Sequence, residues 1–326
     1  MTIAVEAGVS RRVGVVGVPS SGPGPAVWLG GRFRLDERAT AAGQLSLWKA
    51  TDALLCRPVT IHLLPRGVPV PRHVVEAVQA AARVSDPRLA TIYDTDFGVE
   101  GPYIVSEWTR GTHLEDLVLS GLPSPALATA MIADAADALA VAHRAGRPHL
   151  CLGTRSLRWD TGSGLKITGL GIDAALSATN AADPAAADTL GLGRMLYALL
   201  TGCWPGDEPT ALPAAPRHKG RVYTPRQVRA GVPGVLDAIT CPALQLQPPG
   251  APSSAAGRPV LTPAGLAMAL HSVWQPSYWS FRAAEPAGCA PVLAQDTMSR
   301  WQARHARSSR VRAGIRHRAT LLRPAA

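Results

Sequence analysis

The chain has 326 residues, 47% of them hydrophobic, enough apolar material for one large domain or two lobes around a buried core. Its net charge of +10 suggests a nucleic-acid binder until it is located, because residues 297–326 carry eight arginines and no acid, leaving the other 296 residues at about +2. Five cysteines (Cys56, Cys151, Cys203, Cys241 and Cys289) form no C-x-x-C pair and have no His at zinc-finger spacing, which disfavours disulfides and structural zinc.

Residues 1–27 are rich in Gly, Pro, Val and Ser without sustained period, and Pro19, Pro23 and Pro25 oppose both helix and ladder, so a disordered tail is predicted there. From 28 to 108 the pattern turns to short β-type runs at 33–35, 45–50, 59–64, 90–93 and 103–107, with one Ala-rich helix at 74–84 after the third. A helical period then takes over. Residues 126–145 place Ala130, Ile132, Ala133, Ala136, Leu139 and Ala140 where a buried helix requires small and aliphatic groups. Two short strands, 156–159 and 165–168, flank a turn at 160–164, and a second apolar helix runs over 185–200 to a left-handed cap at Gly202. Shorter helices at 234–243 and 263–273 complete a mainly helical part. The apolar stretch 122–145 is interrupted by Asp134, Asp137 and His143, so no spanning helix is expected, and no leader is read at the N-terminus. The expected location is the cytoplasm, peripheral to the membrane if the basic tail adsorbs there.

This order resembles the protein kinase fold, and six stretches within 31–274 resemble bacterial Ser/Thr kinases in wording. Residues 57–64, RPVTIHLL, are similar to the third strand R-P-V-A-I-K-V-L, and 82–87, ARVSDP, to the end of the C-helix. Residues 103–108, YIVSEW, followed by Gly111 and Leu114 resemble the hinge. ALAVAHRAG at 138–146 leads into PHLCL at 148–152 as A-L-A-A-A-H-x-x-G leads into V-H-R-D-L, and 188–202 resembles the F-helix D-x-x-S-L-G-x-x-L-Y-E-L-L-T-G. The resemblance implies an α+β, two-lobe kinase-like fold: a tail at 1–27, a five-stranded N-lobe with one C-helix at 28–108, a mainly helical C-lobe with a shortened activation segment at 109–274, and a linker and basic tail at 275–326.

It also implies where catalytic groups belong. The phosphate-cradling glycines fall on Thr40, Ala42 and Leu45, with only Gly43 nearby. The third-strand Lys falls on His62, its C-helix Glu partner on Ala77, the catalytic-loop Asp on Cys151, the metal-binding Asn on Ser156, and the D-F-G Asp on Gly169. Asp188 and His149 remain as structural members. What is left of a nucleotide cleft would involve Gly43, His62, Glu107 and Trp108. Actinobacterial pseudokinases associated with the membrane protein MviN are similar in having such positions replaced.

The expectation drawn from these replacements is a chain that is not an enzyme: a catalytically inactive, pseudokinase-type scaffold that binds a protein partner and holds no cofactor, neither ATP nor Mg²⁺. The alternative is an unconventional ATP-dependent Ser/Thr kinase or nucleotide sensor using the same cleft. Ser177 and Thr179 lie in the shortened activation segment and read first as unmodified surface; the alternative is that an active kinase phosphorylates them to recruit an FHA-type phosphothreonine reader. The basic tail is expected to be solvated or to meet an anionic membrane surface, with nucleic acid the less favoured contact.

Overall fold

The computed structural model describes residues 27–42, 45–98, 101–246 and 262–273. The predicted tails, apart from Val27, lie outside them, as does Gly43. The chain divides into two compact units: the first runs to Arg72 and resumes over Thr91–Trp108, and the second takes His73–Ala90 and everything from Thr109.

The first unit is a six-stranded antiparallel sheet built from β1 (Trp28–Leu29), β2 (Phe33–Ala42), β3 (Leu45–Asp52), β4 (Arg57–Leu63), β5 (Ile92–Asp96) and β6 (Tyr103–Glu107), in the order β1-β2-β3-β4-β6-β5. Alternation along the strands places Phe33, Leu35, Trp48, Ala50, Val59, Ile61, Tyr103 and Val105 in one buried cluster. The Phe33 and Tyr103 rings meet edge to face at 6.0 Å. Five of the six strands answer the predicted runs; β1 has only two residues, too few to show a period.

One buried acid organises the sheet's turn end. Asp52 is fully buried and accepts hydrogen bonds from Arg32 Nε and Nη2 at 2.9 and 2.8 Å and from the amides of Leu54 and Leu55. The Arg32 guanidinium, outweighing desolvation and helped by those amides, holds its carboxyl down to about 2. Arg57 lies 3.5 Å from the same carboxylate and stacks over the Tyr93 ring at 3.6 Å.

In the second unit, α1 (Arg72–Ala81) precedes the segment that leads to Ala90. The sequence pattern grouped this helix with the strands, but its contacts tie it to the helical part. A Cβ added at Gly171, whose φ is +71°, would come within 2.3 Å of Ala81 Cβ and 3.1 Å of the Ala77 carbonyl oxygen, so α1 lies directly on that glycine. Below the helix, Arg88 pairs bidentately with Asp86 at 2.8 and 2.9 Å and reaches Asp134 and Asp137 at 3.7 Å.

The two acids Asp134 and Asp137 sit on α3 (Pro125–Arg144), where Asp137 also meets His271 of α8 (Pro263–Val273) at 2.9 Å. α3 has the length and apolarity of a membrane span, yet 78% of its most apolar window is buried inside the protein. Ser124 caps it, accepting from the Leu127 amide, with Pro125 at the first helical position. It packs against α8 and α5 (Pro184–Thr201), which Asp183 caps at the start and left-handed Gly202 (φ 81°) closes.

A three-stranded sheet joins β7 (Thr112–His113) to the hairpin β8 (Leu157–Asp160) and β9 (Gly164–Ile167), and α2 (Leu114–Ser120) follows β7 directly. β7 and α2 were not anticipated, being two residues and two turns long. The remaining elements are α4 (Asp173–Leu176), β10 (Arg217–His218), β11 (Arg221–Val222), α6 (Pro225–Val228) and α7 (Gly234–Ala243). The α+β architecture is the one the residue patterns imply, and its kinase-like order is the one the resemblance implies.

A pH dependence follows from Asp52. Its folded carboxyl ionises well below the ordinary 3.8, so it stabilises the sheet fully above about pH 4, and that contribution is lost as the pH falls toward 2. Acid titration of unfolding is expected to show a shallower fall over pH 4 to 2 in Asp52→Asn than in the parent; superimposable slopes would contradict it.

Candidate functional site

The site that the sequence singles out in the second unit is built around Asp188, fully buried in the first turns of α5. Its Oδ2 accepts from the His149 amide at 2.7 Å and its Oδ1 from the Leu150 amide at 2.7 Å. His143, in the last turn of α3, places Nε2 2.7 Å from the same Oδ2. One carboxylate thus fastens the loop after α3 to two helices.

The grip holds a strained backbone in place, since Leu150 has a φ of +64°, a conformation that side-chain-bearing residues adopt at a cost. His149, fully buried, continues the fastening: Nε2 donates to the Thr168 carbonyl at 2.8 Å, and Nδ1 accepts from the Cys151 amide at 3.4 Å. Those two bonds assign the ring proton to Nε2. Ser156, the residue at the expected Asn position, donates to the Cys151 carbonyl at 3.1 Å and accepts from the Gly153 amide at 3.0 Å, so its hydroxyl is committed to the loop's own backbone.

Cys151, at the position of the catalytic-loop Asp, is half-buried, and its thiol lies 3.5 Å from the Ser177 hydroxyl. Ser177 in turn lies 2.8 Å from the Thr179 hydroxyl and donates to the Asp173 carbonyl at 2.6 Å. The structure therefore gathers Cys151, Ser156, Ser177, Thr179, Asp188 and His149 around one loop and the shortened segment facing it. Ala77 joins the same unit through the contact of α1 with Gly171.

Sequence reasoning missed Asp173. Gly169, where the D-F-G Asp would stand, has a φ of +88°, and a Cβ placed on it would sit within 2 Å of the Asp173 carboxylate. The Asp173 carboxylate, four residues later, lies against the backbone at Gly169. The signal in the sequence was an Asp two residues beyond Gly169-Leu170-Gly171, legible only once the tight turn through Gly169 and Gly171 was known. Among the described residues no three His, Cys, Asp or Glu side chains gather to hold a metal. Asp173 alone matches the single-carboxylate share that Mg²⁺ takes when nucleotide phosphates and water supply its other ligands.

The remaining expected residues belong to the first unit. His62 lies on β4, in register with Leu47 and Ile104, and Glu107 ends β6 with its carboxylate accepting from the Thr91 amide at 3.3 Å. Trp108, half-buried, receives the ammonium of Lys49 5.2 Å above its ring, a cation that the strand pattern had not distinguished.

No protein-family model matches the chain. Individual relatives do. The serine/threonine-protein kinase PknB of Mycolicibacterium smegmatis is 28% identical over 254 residues, 68% of this chain and 40% of that protein. PknL of Mycobacterium tuberculosis is 25% identical over 249 residues, covering 68% and 62%. A probable serine/threonine-protein kinase of Corynebacterium efficiens is 27% identical over 174 residues, covering 51% and 26%. The chain thus spans about two fifths of the PknB protein and a quarter of the Corynebacterium one.

The sheet, the helical unit and these relatives define a protein kinase-like domain. Its homologues are Ser/Thr protein kinases of actinobacteria, and the chain is related to the protein kinase superfamily. The same finding corrects the expectation that the chain is not an enzyme, because the proteins it matches are named as kinases, which are enzymes. Counting side chains position by position leaves out Asp173, whose carboxylate lies beside Gly169.

Two substitutions test this geometry. Asp188→Ala leaves the His149 and Leu150 amides without their charged acceptor, and about tenfold or greater loss of hydrogen-exchange protection at those amides is expected, measured by mass spectrometry or NMR. Gly169→Asp collides with the Asp173 carboxylate and is expected to lower the thermal midpoint by several degrees, on the order of 1 to 2 kcal/mol. Adding Asp173→Ala should recover part of that loss, and no recovery would mean the two positions do not share the space.

Proposed function

We propose that this kinase-like domain acts in Ser/Thr-kinase signalling by binding a protein partner, either an active kinase or an FHA-type reader of phosphothreonine. The observation that carries the reading is the rigid loop held by Asp188, set against a short segment that presents hydroxyls. Ser177 is exposed, Thr179 is half-buried beside it, and Ala178 between them has a φ of +51°, which turns the segment outward. A phosphate added there would carry about two negative charges and three acceptor oxygens, which a phosphothreonine reader recognises.

A second reading, phosphoryl transfer by the chain itself, is supported by the Asp173 carboxylate at the D-F-G position and by the kinase names of the relatives. In that case Asp173 would hold Mg²⁺ on the nucleotide phosphates, and the metal would supply charge neutralisation for the transferring group.

One experiment separates the two. The full chain is incubated with Mg²⁺-ATP, with and without the PknB kinase domain of M. smegmatis, and its phosphosites are mapped by mass spectrometry. Phosphate at Thr179 or Ser177 when PknB is added, followed by binding to an FHA domain that Thr179→Ala abolishes, is the expected outcome. Phosphorylation without PknB, lost in Asp173→Ala, would establish the second reading. No phosphate in either case and no binding to PknB or to the FHA domain would overturn the first.

A further inference from the structure

Residues 209–236 contain five Arg or Lys and one His but no Asp or Glu, so the near-neutral charge of the chain outside its tail conceals one concentrated basic patch. Its centre is the hairpin β10–β11. Arg217 faces Val222 and His218 faces Arg221 across the pair, and the two-residue turn Lys219-Gly220 has positive φ at both positions, 50° and 79°. The turn drives three basic side chains to the tip. Among the described residues only Arg217 has an acid partner there, Asp207 at 2.9 Å, and the Pro205 carbonyl steadies it further. His218, Lys219 and Arg221 are exposed and meet no acid among the described residues.

Beside this hairpin lies an open groove of about 800 Å³, lined also by Tyr223, Thr224, Gln227, Gln245 and Leu246. Its floor is apolar, because Val222 and Leu246 pack against the buried cluster of Tyr197, Ala215 and Leu244. The Tyr197 hydroxyl donates to the Tyr223 carbonyl at 3.0 Å, which fixes the strand leaving the hairpin to α5. The groove thus joins a rigid apolar floor to a rim of one charge sign. Like charges crowded on a six-residue hairpin repel one another, and an anionic ligand relieves that repulsion. A nucleic acid would require a longer basic track than this tip supplies.

We infer that this groove docks an acidic peptide segment of a protein partner, with its carboxylates against Lys219 and Arg221 and one aliphatic side chain on Val222 and Leu246. The inference rests on the protein-binding role proposed above and assigns it a surface away from the Asp188 loop's own residues.

Two short fluorescein-labelled peptides of equal negative charge, one with a central pair of leucines and one without, are titrated into the full chain by fluorescence polarisation. Lys219→Glu/Arg221→Glu should weaken the leucine peptide about tenfold or more, whereas the charge-matched tail variant Arg310→Glu/Arg312→Glu should change it less than about threefold. The leucine-free peptide should bind several-fold more weakly than its partner. Equal losses in the two variants would mean long-range attraction and no docking site, and preference for a single-stranded DNA of equal charge, lost through the same hairpin residues, would mean a nucleic-acid surface. Both results overturn the inference. Because PknB and FHA binding are scored separately, a chain that keeps them while its hairpin variant binds peptide unchanged retains the proposed role and loses only this site. Circular dichroism checks that each variant is folded.

Discussion

The Asp188 carboxylate is the interaction on which the second unit depends. It accepts from two consecutive backbone amides, His149 and Leu150, and from His143, at 2.7 Å each, while wholly buried. A buried charge met by several donors is stable, and the same charge with a partner removed is costly, so the three groups are fixed together. This rigidity sustains the positive φ of Leu150, and from Leu150 follow the positions of Cys151 and of the Ser156 hydroxyl that closes the loop.

The same logic recurs at two further places in the molecule. Asp52 gathers Arg32, Arg57 and two turn amides at the end of the sheet, and Arg88 gathers Asp86, Asp134 and Asp137 beneath α1. Each cluster joins segments distant in sequence, whereas the aliphatic contacts around them give bulk stability with little preference for one arrangement. The Arg88 cluster, with the parallel bridge between Leu89 and Ile167, explains why α1 travels with the helical unit.

Much of this was legible beforehand. The strand runs at 45–50 and 103–107 and the helices at 126–145, 185–200, 234–243 and 263–273 declare themselves through period, the second of these helices also through Gly202 at its end. The kinase-like wording also located the residues of the candidate site. It did not disclose what surrounds them, because a side chain's neighbours depend on turns that no period encodes. β7, α2 and the β10–β11 hairpin escaped for the simpler reason that two to seven residues carry no measurable alternation.

By itself the sequence determined the α+β class, the order of the long elements, the relation to kinases and the identity of the residue at each expected catalytic position. Those depend on local periodicity and on residue type, which a linear string contains. Only the tertiary structure decided that Asp173 fills the space beside Gly169, that α1 joins the helical unit, and that three basic side chains converge beside an apolar groove. Each of these is a distance between residues set by a left-handed turn or a buried ion pair, and distance through space is the quantity that residue order leaves unspecified.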